Sequence, residues 1–144
     1  MMAAMALATT SVSAHVITRC GASKGYAFYF DGPFVNRGNS GWTEDGISTG
    51  GLQLFQSGPD YDVLVTDTLG TKSMRGDGFT VVRIPQPRPE YTMIIATHSG
   101  TGVVEHYLFK LDPSGAGTVA WGSLKGGRSL FQKSSLFVAA CVPP

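Results

Sequence analysis

The sequence predicts an all-β protein: one mainly antiparallel meander of about eight strands forming a small barrel or sandwich. Three observations carry this. Short runs rich in Val, Ile, Thr and aromatic residues alternate apolar with polar positions. Gly, Pro, Asn and Asp interrupt them at intervals of about eight to twelve residues. No stretch beyond residue 14 carries a convincing helical period of apolar residues.

The most regular stretch is 103–124. Successive side chains of an extended strand point to opposite faces, so Glu105, Tyr107, Phe109 and Leu111 share one side, and Val104, His106, Leu108 and Lys110 the other. The first set is mostly large and apolar; the mixed second set suits a partly wet face. Asp112-Pro113-Ser114-Gly115-Ala116-Gly117 reverses the chain, because Pro113 presets φ and the glycines accept φ > 0. Residues 118–121 are the return strand. Setting Leu111 opposite Val119 places Phe109 against Trp121 and Glu105 against Lys125, favourable cross-strand pairs closed by an ion pair. A slip by two would bring Tyr107 to Trp121 instead. A slip by one would set the apolar residues opposite Thr118, Ala120 and Gly122, a poorer match.

From the start of the chain, 26–30 is a strand with Tyr26, Phe28 and Phe30 on one face and Tyr29 on the other, stopped by Asp31-Gly32-Pro33. Residues 35–50 lack a periodic apolar pattern and are expected to form a long polar loop anchored in the core by Trp42 and Ile47; its Trp42, Glu44 and Asp45 are the candidate binding residues. Residues 52–56 and 61–66 form a hairpin around Gly58-Pro59-Asp60, with Leu52 and Leu54 on one side and Tyr61, Val63 and Val65 on one side of its partner. Residues 72–78 are loop or weak edge strand, and 79–84 a β-branched strand. Pro85, Pro87 and Pro89 then forbid helix. Residues 91–97, apolar on both faces, are expected to be central and buried, and 129–141 fits either a strand or a short helix, the strand being preferred because a disulfide to the first strand suits a closed sheet.

The chain has 144 residues, enough for one domain with a real core, placed at 15–144. Charged residues make up 15%, below the roughly 25% of an average soluble chain. The net charge of +1 gives no electrostatic argument for nucleic acid or an anionic membrane surface. Residues 1–14 are uncharged, rich in Ala and Met, and end Val12-Ser13-Ala14, which fits a signal peptide cleaved after Ala14 and a secreted or periplasmic protein. No Lys or Arg precedes Arg19, so a basic n-region would require a start upstream of Met1. The segment is too short to span a bilayer, and Arg19 immediately before Cys20 argues against lipidation. In an exported chain, Cys20 and Cys141 suggest one disulfide tying the first strand to the last. There is no CxxC for zinc or redox chemistry.

No motif argues for catalysis or a cofactor. His15, His98 and His106 stand in no compact metal-ligand spacing. His15 would become the mature N-terminus, an arrangement that binds copper in some proteins, but nothing else supports it. Strand geometry places His98 near Val103 and His106 near Ile95, about 10 Å apart and too far for one metal ion. GxSxG, P-loop and dinucleotide fingerprints are absent. Asp60 and Asp62 would share a face beside a turn, where solvation and turn chemistry account for them. Arg75-Gly76-Asp77 matches an adhesion tripeptide but arises easily by chance in a chain with 19 glycines. The expected function is therefore binding or structural interaction by a small exported β domain with an unidentified protein or small-molecule partner. The competing reading is a hydrolytic or metal-assisted enzyme pairing His98 or His106 with a carboxylate. A third, an apolar-ligand carrier, requires a barrel that is open inside.

Overall fold

A computed structural model describes residues 13–144; the signal-peptide expectation therefore falls almost wholly outside the described residues. The strands are β1 (Ala14–Tyr29), β2 (Gly41–Ile47), β3 (Gly51–Ser57), β4 (Asp60–Asp67), β5 (Gly70–Ser73), β6 (Thr80–Ile84), β7 (Tyr91–His98), β8 (Val103–Leu111), β9 (Gly117–Lys125) and β10 (Lys133–Val142). They form one antiparallel sheet of order β5-β4-β3-β1-β10-β9-β8-β7-β6, with β2 also paired to β1. The only helical piece among the described residues is one 3-10 turn, Arg37–Asn39. The sheet curls into a half-barrel. Its two ends are braced where the Arg75 guanidinium donates to the Tyr61 carbonyl on β4 and the Val81 carbonyl on β6. The Arg-Gly-Asp arginine thus holds strands together.

The spine is β1, pairing β10 along one edge and, along the other, first β3 (Ala14 to Cys20) and then β2 (Ser23 to Tyr29). The change of partner coincides with a bulge between Cys20 and Ser23. One extra residue reverses which parity faces inward. Thr18 and Cys20 are buried before the bulge, Ser23 and Ala27 after it. Tyr26 and Phe30 consequently lie exposed on the convex side.

Residues 35–50 are not a long loop. Ser23 to Tyr29 pairs residue by residue with Ile47 to Gly41, supplying the backbone partners that make a strand of a segment with weak apolar patterning. Ile47 packs against the core as expected. Trp42 does not anchor there: it is 72% exposed and packs edge-on against Phe28 on the convex face, 5.4 Å between ring centres.

The β8–β9 hairpin adopts the two-residue slip, with Tyr107 opposite Trp121, Phe109 opposite Val119 and Leu111 opposite Gly117. The expected ion pair is absent: Glu105 faces Ser123 and Lys125 faces Val103. The turn decides this. Asp112 Oδ1 accepts from the Ser114 and Ala116 N–H groups, and the Asp112 N–H donates to the Ala116 carbonyl, closing the loop before Gly117. Gly117 then belongs to the strand, at φ 157°, where a Cβ would meet the Lys110 carbonyl at 2.0 Å.

β7 lies next to the β6 edge, displaced from the expected centre, which β1 and β10 occupy. The remaining core follows the alternation: Leu52, Leu54, Val63, Ile94, Tyr107, Phe109 and Val119 are completely or almost completely buried. Cys20 and Cys141 are directly paired across β1 and β10 and joined by a disulfide. A disulfide-bonded β domain is consistent with an oxidising extracellular compartment.

Candidate functional site: the open end of the half-barrel

Following the inward-facing residues across β1, β10, β9, β8 and β7 shows why one end is hollow. The innermost of three rows is Gly25, Phe137, Trp121, Tyr107 and Ile94. It is a floor of large side chains: Tyr107 and Trp121 lie nearly parallel at 6.1 Å, and Trp121 meets Phe137 at 4.9 Å. The Trp121 indole N–H donates to Ser23 Oγ at 3.1 Å, which fixes the ring. The next row is Ala27, Ser135, Ser123, Glu105 and Ala96, small at every position but one. The outermost row is Tyr29, Lys133, Lys125, Val103 and His98, with Phe79 beside His98 at 5.1 Å. Of this middle row, Ser123, Ser135 and Glu105 line a cavity, while Ala27 and Ala96 are fully covered.

At the outer row lies an open cavity of about 700 Å³, the mouth. Asp77, Phe79, Lys125 and Lys133 also line a second, neighbouring chamber of about 430 Å³ that includes Trp121 and Phe137. The mouth is walled by Tyr29, Phe79, Val103, Leu130 and Phe131, with Lys125, Arg128, Lys133 and Asp77 around it. The second chamber adds Asp45, Asp67, Lys72, Glu105, Ser123 and Ser135.

The charged groups are unevenly compensated. Asp45 accepts from the Tyr29 hydroxyl at 3.0 Å and faces the Lys133 ammonium at 3.4 Å. Partial burial raises its carboxyl, but the Gly46 N–H, the Tyr29 hydroxyl and the Lys133 charge outweigh that and hold it below the usual carboxylate value. Lys133 also lies 5.3 Å from the centre of the Tyr29 ring. Glu105 accepts from the Tyr107 hydroxyl at 2.7 Å. Burial pushes that phenol well up, with the Glu105 charge adding to it, so Tyr107 stays a donor. Lys125 stands directly across from Lys133, and no ion pair forms on it among the described residues. Ser123 is 3% exposed, and its Oγ has no hydrogen-bond partner among the described residues. The neighbouring Ser135 Oγ accepts instead from the Ser123 backbone N–H.

Of the candidate loop residues, Asp45 lines the cavity, while Trp42 and Glu44 alternate away from it. Asp62 accepts from the Ser73 hydroxyl and from the Val63 and Arg75 N–H groups, holding the start of the β5–β6 connection, and Asp60 is exposed. His98 pairs with Val103 and His106 with Ile95, as strand geometry predicted. His98 lines the mouth, but its Nδ1 is engaged by the Thr101 N–H and hydroxyl, with no carboxylate. His106 lies on the convex side over Gly122, where a Cβ would meet its Nε2 at 2.8 Å. His15 is exposed, and no group of three metal-ligating side chains exists among the described residues.

Sequence reasoning missed Tyr29, Phe79, Asp77, Ser123, Lys125 and Lys133 as cavity residues. The signal for two of them was present: with Tyr107 set against Trp121, alternation along β9 takes Ser123 and Lys125 to the inner face. No protein-family model, curated protein or solved structure matches this chain.

Proposed function

We propose that this is a small exported β domain that acts by binding, and that its ligand is a small molecule held in the open end of the half-barrel. The observation that carries the reading is the open cavity of about 700 Å³ at the mouth, which shares Asp77, Phe79, Lys125 and Lys133 with a second cavity lined by Ser123, Ser135, Trp121 and Phe137, whereas the residues around the disulfide are buried. A volume of about 700 Å³ lies within the usual range for small-molecule sites, and largely apolar walls with a few placed polar groups are their usual lining. Export is supported by the composition of residues 1–14 and by the disulfide.

The chain has two tryptophans, Trp42 on the convex face and Trp121 in the cavity floor. In a Trp42→Phe variant, Trp121 alone reports. Titration with the neutral fluorophore phenylnaphthylamine should quench Trp121 by energy transfer and saturate at one equivalent. Absence of saturable quenching would overturn the binding reading. Intact mass from an exporting host should show loss of residues 1–14; retention of that segment would overturn export.

A further inference from the structure

We infer that the convex side of β10, β9, β8, β7 and β6 is the interface of a two-fold dimer, its occupant a second copy of this chain. The inference is independent of the cavity, which lies on the inner side of the same strands.

Alternation along these five strands turns one set of residues outward. One outward row, Val138, Ala120, Leu108, Met93 and Ile84, is apolar at every position. The two rows beside it run from Leu136 to Val82 and from Ser134 to Thr80, and neither contains an Asp, Glu, Lys or Arg. Leu136, Leu124 and Val82 are 56%, 49% and 48% exposed, so large apolar groups here meet water and not a second layer. The other half of the same sheet is built differently. The outward residues of β3, β4 and β5 include Gln53, Thr66, Thr71 and Ser73, as suits an antiparallel sheet with one wet face. The Thr66 and Thr71 hydroxyls even hydrogen-bond to each other at 2.8 Å in solvent. β7 makes the sharpest case. It is apolar on both faces, the pattern of a strand covered on both sides, yet it lies one strand from the edge of the sheet. Ile94 and Ala96 point inward and are fully buried, while Met93 and Ile95 point outward and are only partly covered. A second layer over β7 would satisfy the pattern its sequence carries.

Area and charge favour a second copy as that layer. Five strands about 4.8 Å apart, crossed by three rows about 6.8 Å apart, give a footprint of roughly 500 Å² per copy. Tyr26 and Trp42, exposed on the adjoining β1 and β2, extend it by roughly 200 Å². Two such faces together bury roughly 1,000 to 1,400 Å², which reaches the lower end of the range for a specific dimer. A two-fold contact sets one patch against itself, so any charge on it would meet its own sign. The three rows carry no acidic or basic side chain other than His106. Charges begin at the margins: Lys24 and Glu44 on the β1–β2 side, and Lys110 with the Arg88–Glu90 ion pair beyond the outermost row. An apolar centre inside a polar rim is the usual anatomy of a homodimer interface.

The test is molar mass by sedimentation equilibrium on the disulfide-bonded protein, from about 0.1 to about 300 μM. A contact of this size should give a dimer half dissociated at about 10 μM. Leu136→Glu on β10 and Val82→Glu on β6 each set an unpaired carboxylate in the contact and should weaken dimerisation at least about tenfold. Both side chains are about half exposed in the single chain, so the fold should survive, checked by an unchanged guanidinium midpoint. Gln53→Glu, on the outer face of β3, should leave the dimer intact. Carbethoxylation of the wild-type histidines gives a readout without mutation. His106 should react about threefold more slowly above the dissociation midpoint than well below it, while the exposed His15 reacts at one rate throughout. A monomeric mass at the highest concentration overturns the inference, as does a dimer that survives both Glu variants or leaves His106 equally reactive. Monomers that bind phosphatidylcholine vesicles, and lose that binding in the two Glu variants, overturn it in favour of a lipid surface. Each of these outcomes leaves the small-molecule reading of the cavity where it stands.

Discussion

The two ends of the half-barrel are built from the same strands and differ in what they face inward. Around the disulfide, β1, β10, β9, β8 and β3 present Thr18, Cys20, Cys141, Ala139, Val119, Phe109, Leu52 and Leu54, every one buried. Even the hydroxyl there is fully used, Thr18 Oγ1 donating to the Gly115 carbonyl at 2.6 Å with the Val142 carbonyl at 3.0 Å. At the other end the same strands present small residues, an orphan hydroxyl and paired lysines. The difference locates cohesion at one end and leaves the proposed ligand site at the other. Imperfect packing, like charges side by side and an unsatisfied polar group are costs a fold carries where a ligand belongs.

Removing the crosslink is the largest way to break this contrast. Cys20 and Cys141 are separated by 121 residues, so Cys20→Ala with Cys141→Ala should cost about 5 kcal/mol in the chain-entropy picture. The measurement is the guanidinium midpoint at constant slope. Affinity for phenylnaphthylamine should stay within about twofold under conditions where the variant is folded, because the cavity lies at the other end. A folded variant that no longer binds would show that the ends are not independent. A smaller effect separates the two ends by packing alone. Phe109, fully buried, should cost about 3 to 5 kcal/mol on truncation to Ala, whereas the partly buried Phe79 at the mouth should cost roughly half of that. Equal losses would mean that the mouth is packed as tightly as the core.

The well-packed end was the legible one. Leu52, Leu54, Val63, Tyr107 and Phe109 could be assigned to the interior because alternation fixes a face whenever one set is large and apolar. The cysteines could be paired because compartment and count constrain them. The open end was not legible for the converse reason. Its defining row is Ala and Ser, residues whose pattern does not distinguish inside from outside. Its mouth depends on a hairpin register that Gly117 shifts by two. The β1 bulge adds a further change of parity that no pattern announces, and β2 exists because β1 offers a free edge there, a tertiary cause absent from its own sequence.

Asp45 tests the electrostatics of the open end with a more modest effect. Its folded-state carboxyl lies below the ordinary value of 3.8, so the stability it contributes is fully present above that value and is lost as the pH falls through the lower, folded-state value. Asp45→Asn should therefore cost about 1 kcal/mol at neutral pH, from the weakened contacts to Tyr29 and Lys133. The gap between wild type and variant should close on acidification below about pH 4. A gap that persists at low pH would mean that packing, and not the carboxylate charge, is what Asp45 supplies.

The smallest effect is the sharpest comparison, because it sets two adjacent serines of one row against each other. Ser135 Oγ accepts from the Ser123 N–H at 3.2 Å and lies 3.4 Å from the Ser123 carbonyl, so Ser135→Ala should cost about 1 kcal/mol. Ser123 Oγ has no partner among the described residues, so Ser123→Ala removes a buried unsatisfied group and should be neutral or stabilising by up to about 1 kcal/mol. The two substitutions delete the same atom type at neighbouring positions of similar burial, so the difference between them isolates hydrogen bonding from packing. Opposite signs would confirm that the open end is left incomplete within the chain itself. Equal destabilisation would place a partner, such as a bound water, on the Ser123 hydroxyl and make the two ends of the half-barrel alike in their polar satisfaction.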